Sequence, residues 1–179
     1  MAFLANLLGY QGVWFAVVWS AGHGDAWLGM LACAGFIAWQ LQASRVRRDD
    51  ARVLLAALAC GLAVDGIAAG TGLLRYTSPA PALPAPPWIV LLWGAFALTM
   101  NHSMAWFAGR PWHAAIFAAI GGPLAYLGAA RGFGAVGFPE PAWPALCFLA
   151  AAWACALPLL LRIAAVRPFR VHQSDRTSA

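Results

Sequence analysis

Two places in this sequence carry residue types that could do chemistry. Asn101, His102 and Ser103 stand in a row inside an apolar run, and Asp65 is the only carboxylate well inside another. An imidazole titrates near neutrality, so His102 reads as a proton acceptor or a ligand contact. A carboxylate at membrane depth is costly, so Asp65 has to be neutral, paired or turned toward water. Arg75 and Arg131 are the cations within reach as partners, though both could equally snorkel to an interface. The amides Asn6 and Gln11 sit in the first apolar run and lack acid–base capacity. Each polar group also has a purely structural reading. An interhelical hydrogen bond between such side chains is worth about 0.6–2 kcal/mol and locks packing without any chemistry. The candidate ligand-binding set is therefore Asn6, Gln11, Asp65, Asn101, His102 and Ser103, with His102 and Asp65 as candidate catalytic groups. No nucleophile–base pairing, P-loop, dinucleotide fingerprint or metal box is visible, so neither cofactor nor metal is expected.

The elements that must position these groups are membrane spans. The 179-residue chain fits one domain, is 63% hydrophobic and only 9% charged, with a mean hydropathy of +0.72. A soluble domain carries roughly 25% charged residues, and that gap decides the class. The net charge of +5 comes from arginines gathered mostly in loops, which fits membrane topology better than nucleic-acid binding. Cys33, Cys60, Cys147 and Cys155 all lie in apolar runs and read as small buried hydrophobes. Six spans are predicted, at about 3–19, 26–41, 53–74, 88–106, 113–130 and 145–166. The first lacks the basic n-region of a signal peptide and is read as a retained helix. Residues 1–166 form a single transmembrane domain and 167–179 a short basic cytoplasmic tail. Trp88–Trp106 carries no formal charge and at 1.5 Å per residue is about 28 Å long, close to a bilayer's hydrocarbon thickness. Thr77–Pro87 is proline-rich and cannot continue a helix, and Gly121-Gly122-Pro123 is expected to open and kink the fifth span.

The fold class is an all-α bundle of six transmembrane helices with both termini cytoplasmic. Arg45, Arg47, Arg48, Arg52, Arg110, Arg162, Arg167, Arg170 and Arg176 then fall inside, and only Arg75 and Arg131 outside. By helical rise Asn6 lies about 5 Å, Gln11 about 12 Å and His102 about 6–8 Å from the inner boundary. Asp65 falls near the midplane, about 10–12 Å beyond His102. The expectation is that Asn6, Gln11, Asn101 and His102 converge in the cytoplasmic half. Gly61, Asp65, Ala68 and Gly72 form a small-residue stripe on which another helix can close.

The pairing of LTMNHSMAWFAGRPW (Leu98–Trp112) with AAIGGPLAYLGAARGFGAV (Ala118–Val136) resembles the bacterial membrane family catalogued as domain of unknown function 2878. Asn6–Phe15 and Gly61–Asp65 are similar to further hallmarks of that family, and the likeness covers nearly the whole chain. It implies a bacterial inner-membrane, multi-pass protein with no established activity, associated with lipid modification through gene neighbourhood. Three function classes stay open. One is a protein that binds or passes a small lipophilic molecule or lipid at a polar cavity. Another is a lipid-modifying enzyme with His102 as acid–base and Asp65 orienting or coupling. The third is a non-catalytic assembly subunit. The partners expected are membrane lipid, a small lipophilic ligand, and a second copy or another membrane protein, with no nucleic acid.

Overall fold

The computed structural model describes residues 2–78 and 83–164. The tail at 167–179, its three arginines and part of the proline-rich connector lie outside the described residues. Within them the chain forms six α-helices: α1 (Ala2–Gly22), α2 (Trp27–Ala43), α3 (Arg47–Gly70), α4 (Pro87–Ala97), α5 (Pro111–Phe133) and α6 (Trp143–Ile163). Three of these, α3, α5 and α6, are long and apolar enough to cross a membrane. Their outward faces stay apolar: Leu55, Ile116, Ile120 and Leu124 are all exposed. Large apolar side chains facing outward around a bundle are what a lipid solvent permits and water does not.

The all-helical expectation needs one addition. A two-stranded antiparallel ribbon joins β1 (Arg75–Tyr76) to β2 (Val136–Gly137), with Arg75 opposite Gly137 and Tyr76 opposite Val136. Thr77 extends it, its N–H donating to the Ala135 carbonyl at 3.1 Å. The ribbon ties the α3–α4 connector to the α5–α6 connector at one end of the bundle. The predicted span 53–74 is shortened by this: α3 stops at Gly70, and Gly72 adopts φ +73° to turn the chain toward β1.

A larger correction concerns the span predicted at 88–106, whose helix ends at Ala97. At about 16 Å, α4 is too short to cross a bilayer as a helix. It is buried on nearly every side, as a helix apolar all round must be. Beyond Ala97 the backbone tightens into turns: the N–H groups of Leu98, Thr99 and Met100 donate to carbonyls three residues back, and a short 3-10 turn follows at Ala105–Phe107. The Thr99 hydroxyl donates to the Phe96 carbonyl at 2.7 Å. Polar side chains that offer the backbone such alternatives weaken a helix locally. Asn101, His102 and Ser103 therefore sit in a run of turns, not on one helical face.

The glycines of the two organising helices seat a pair of indoles. Trp93 (α4) and Trp153 (α6) are stacked at 4.1 Å and 15°. Gly61 on α3 faces Trp93, where an added Cβ would come within 2.5 Å of the ring. Gly122 on α5 faces Trp153 in the same way, while Gly121 has open space. So α5 runs unbroken through Pro123, and the motif expected to open it is the notch that receives Trp153. Gly122→Leu is expected to destabilise the protein by about 1–3 kcal/mol through overpacking. Gly121→Ala is expected to be neutral or to stabilise by up to about 1 kcal/mol through helix propensity. Thermal unfolding of both variants in one detergent checks this, and equal effects would show that the indole seat is loose.

Candidate functional site

Asp65 is fully buried on the face of α3 that also carries Gly61 and Ala68. It meets neither arginine considered for it: Arg75 and Arg131 are both exposed. Three neutral donors converge on it instead. The Tyr76 hydroxyl donates to Oδ1 at 2.5 Å, the Tyr126 hydroxyl to Oδ1 at 2.6 Å and the Trp93 indole N–H to Oδ2 at 2.7 Å. An indole can only donate, so Oδ2 has to accept. Burial first, and the neighbouring Asp65 second, push the Tyr76 phenol above its ordinary value, which keeps it a donor. One carboxyl thus joins α3, α4, α5 and the ribbon.

A second polar network lies at the far end of α3. Asp50, fully buried in the first turn of that helix, accepts from Asn101 Nδ2 at 2.7 Å and pairs with His102 Nε2 at 3.1 Å. On the α1 side, Asn6 Nδ2 donates to the Leu98 carbonyl at 3.0 Å, and the Ser103 hydroxyl donates to Asn6 Oδ1 at 2.6 Å. The structure therefore brings Asn6, Asn101, His102 and Ser103 together around the broken end of the fourth segment. Asp50 is close in sequence to Arg47, Arg48 and Arg52 and is not among the candidates singled out from sequence. Fifteen residues separate it from Asp65, about 22 Å along α3, so His102 and Asp65 belong to different networks. The 10–12 Å expected between them assumed an unbroken fourth helix.

Gln11 does not join either network. It is exposed and lines a cleft of about 420 Å³ between α1, α4, α5 and α6. Of the six candidate ligand-binding residues, Gln11 alone lines this space. Its walls are Trp14, Phe96, Leu92, Ala125 and their neighbours, with Tyr10 and Tyr126 supplying hydroxyls and no ionised side chain among the lining residues. Phe117 and Leu124 line the cleft and are also 45% and 60% exposed, so it opens on the outer apolar surface between α1 and α5. Two of its lining residues make further aromatic contacts, Trp14 with Phe133 at 6.1 Å and Phe117 with Phe107 at 4.9 Å. Trp93, Tyr126 and Trp153 form the back wall, and Asp65 stands behind two of them. The Trp153 indole N–H is buried without a partner among the described residues. No group of histidine, cysteine and carboxylate side chains able to hold a metal occurs among the described residues.

Fold and site together define a helical protein with three membrane-length helices, a buried carboxyl node and an uncharged lateral cleft. The family described as "Protein of unknown function (DUF2878)" matches residues 3–159, and the chain belongs to that family. No curated protein and no solved structure matches it.

The Asp65 node makes a measurable demand. Asp65→Leu strands three buried donors and is expected to cost about 3–5 kcal/mol, whereas Asp65→Asn keeps one acceptor and should cost about 1–3 kcal/mol. Tyr76→Phe and Tyr126→Phe, each losing one hydrogen bond, should cost about 1 kcal/mol. Unfolding midpoints of the purified variants give the ranking. Wild-type stability for Asp65→Leu would remove the node from any account of the fold.

Proposed function

We propose that this protein is a multi-pass bacterial inner-membrane protein that binds a small lipophilic molecule or lipid in the α1/α4/α5/α6 cleft and exchanges it sideways with the bilayer. The observation that carries this reading is the cleft itself: about 420 Å³, walled by aromatic and aliphatic side chains and open between α1 and α5. That volume falls within the range of small-molecule sites, and its opening faces the side from which a lipophile would arrive. Gly121 lines the cleft and has room for a side chain, so Gly121→Leu fills the space without displacing backbone. Mass spectrometry of organic extracts from purified wild type and Gly121→Leu tests the reading. A lipophilic species held by the wild type and absent from the stably folded variant is the expected result. Identical extracts from both would overturn it.

The topology belongs to the same proposal. Six crossings place both termini in the cytoplasm, with α4 and the turns from Leu98 to Phe107 together making the fourth. Supporting this, α4 begins beside the ribbon, where Trp88 packs on Tyr76 at 5.8 Å, and the chain reaches Asp50 at the opposite end of α3 by Asn101. The ribbon end is then periplasmic and the Asp50 end, with Arg45, Arg47, Arg48 and Arg52 around it, cytoplasmic. Reporter fusions after Arg48 and after Ser78 should report opposite sides, and a cytoplasmic signal at Ser78 would reverse the assignment.

One observation favours a second reading, a lipid-modifying enzyme. His102, 18% exposed, has its Nε2 against the buried Asp50, so a carboxylate orients the imidazole. In such an enzyme Asp50, not Asp65, would be the orienting group.

A further inference from the structure

Resting on that proposed function, we infer that the occupant of the cleft is an amphiphile with an uncharged head. The head lies against Tyr10 and Gln11, and the hydrocarbon chain runs toward Val136.

The first argument is one of charge. No residue lining the cleft is an acid, a lysine, an arginine or a histidine. A phosphate, carboxylate or ammonium head would lose its hydration there without a compensating partner, at a cost that forbids binding. An alcohol, ester or amide head needs only hydrogen bonds. The second argument fixes direction. Asn6 is tied to the turns at Leu98 and Ser103, and Tyr10 and Gln11 follow one turn further along α1 at the same end of the cleft. Toward the ribbon the walls become Trp14, Val18 and Val136. Tyr126 also lies there, but its hydroxyl hydrogen is already given to Asp65. Besides the Trp153 N–H in the back wall, the unengaged polar groups are at the Asn6 end, and the apolar remainder of the slot takes the chain.

Native mass spectrometry of the full purified chain at pH 9 tests this with two probes of one acyl length: a 1-monoacylglycerol and the fatty acid, which is ionised there. Monoacylglycerol binding is expected, with the fatty acid bound about tenfold more weakly. The double variant Tyr10→Phe, Gln11→Leu should lose about tenfold in monoacylglycerol affinity. Gly121→Leu should abolish binding and Gly121→Ala retain it, and Ala125→Leu fills the same slot if the larger Gly121 substitution does not purify. Binding of the ionised fatty acid as tight as that of the monoacylglycerol, and lost in the slot-filling variant, would overturn the uncharged head and leave the proposed function standing. Binding of neither probe, or binding that the slot-filling variants do not change, would overturn both.

Discussion

A carboxyl group removed from water must be met by donors, and the fold around Asp65 is arranged to meet it. The three groups that do so come from β1, α4 and α5, elements far apart in sequence. Each is rigid: two phenols and an indole, side chains that lose little rotamer freedom when fixed. Leaving one such donor unpaired costs about 1–3 kcal/mol, a large share of a typical net stability of about 5–15 kcal/mol. The node therefore sets register as well as strength. Once Trp93 is aimed at Asp65 it has to lie across α3 at the residue one turn away, which is Gly61. Its other face then receives Trp153, and Trp153 in turn needs the notch at Gly122. Four helices are positioned by one carboxyl, two indoles and two missing Cβ atoms.

The second constraint is backbone satisfaction. Turns are tolerated at membrane depth only where protein surrounds them, because a bilayer core offers no water to unpaired N–H and C=O groups. The segment after Ala97 meets that condition. Leu98 and Met100 are fully buried, the Leu98 carbonyl accepts from Asn6, and Asp50 holds the side chains of Asn101 and His102. Asn6 thus acts as the backbone partner that a continued helix would have made unnecessary, while Asp50 anchors side chains on the other flank.

Much of this was legible in the sequence, and the exceptions have physical causes. The helix runs at α1, α2, α5 and α6 follow from apolar length and from the charged and glycine-rich breaks between them. The end of α4 does not, because the uncharged run continues past Ala97 to Trp106. The only local signal is Thr99 followed by Asn101, His102 and Ser103, side chains that compete with helical hydrogen bonds. Asp50 was legible in hindsight. The small-residue stripe through Gly61, Asp65 and Ala68 continues backward at spacings of three and four through Ala57 and Val53 to Asp50, all buried. A carboxylate in register with a buried stripe is a buried carboxylate, whatever its arginine neighbours suggest. The cleft was not legible, since it arises where α1 and α5 diverge, and no periodicity within a single helix encodes that distance.

Polar residues in a membrane protein draw attention as chemistry, yet here most of them stand behind the cleft rather than in it. The back wall is knit by hydrogen bonds through Asp65, and the far end by Asn6 and Asp50. Toward the ribbon α1 is held again, its Ala21 carbonyl accepting from Ser78 at 2.9 Å and its Ser20 hydroxyl accepting from the Gly29 N–H at 3.2 Å. Between Asn6 and Ser20, about 21 Å of helix, α1 faces α5 across aromatic contacts and makes no side-chain hydrogen bond to it among the described residues. Aromatic contacts are less directional than hydrogen bonds and can be replaced by equivalent contacts with a hydrocarbon chain. Three walls of the cleft are therefore held by hydrogen bonds and the fourth by aromatic contacts, on the side of the outer apolar surface. The proposed uptake of a lipophile draws on that asymmetry, with hydrogen-bonded walls against the ligand and replaceable contacts where it would enter.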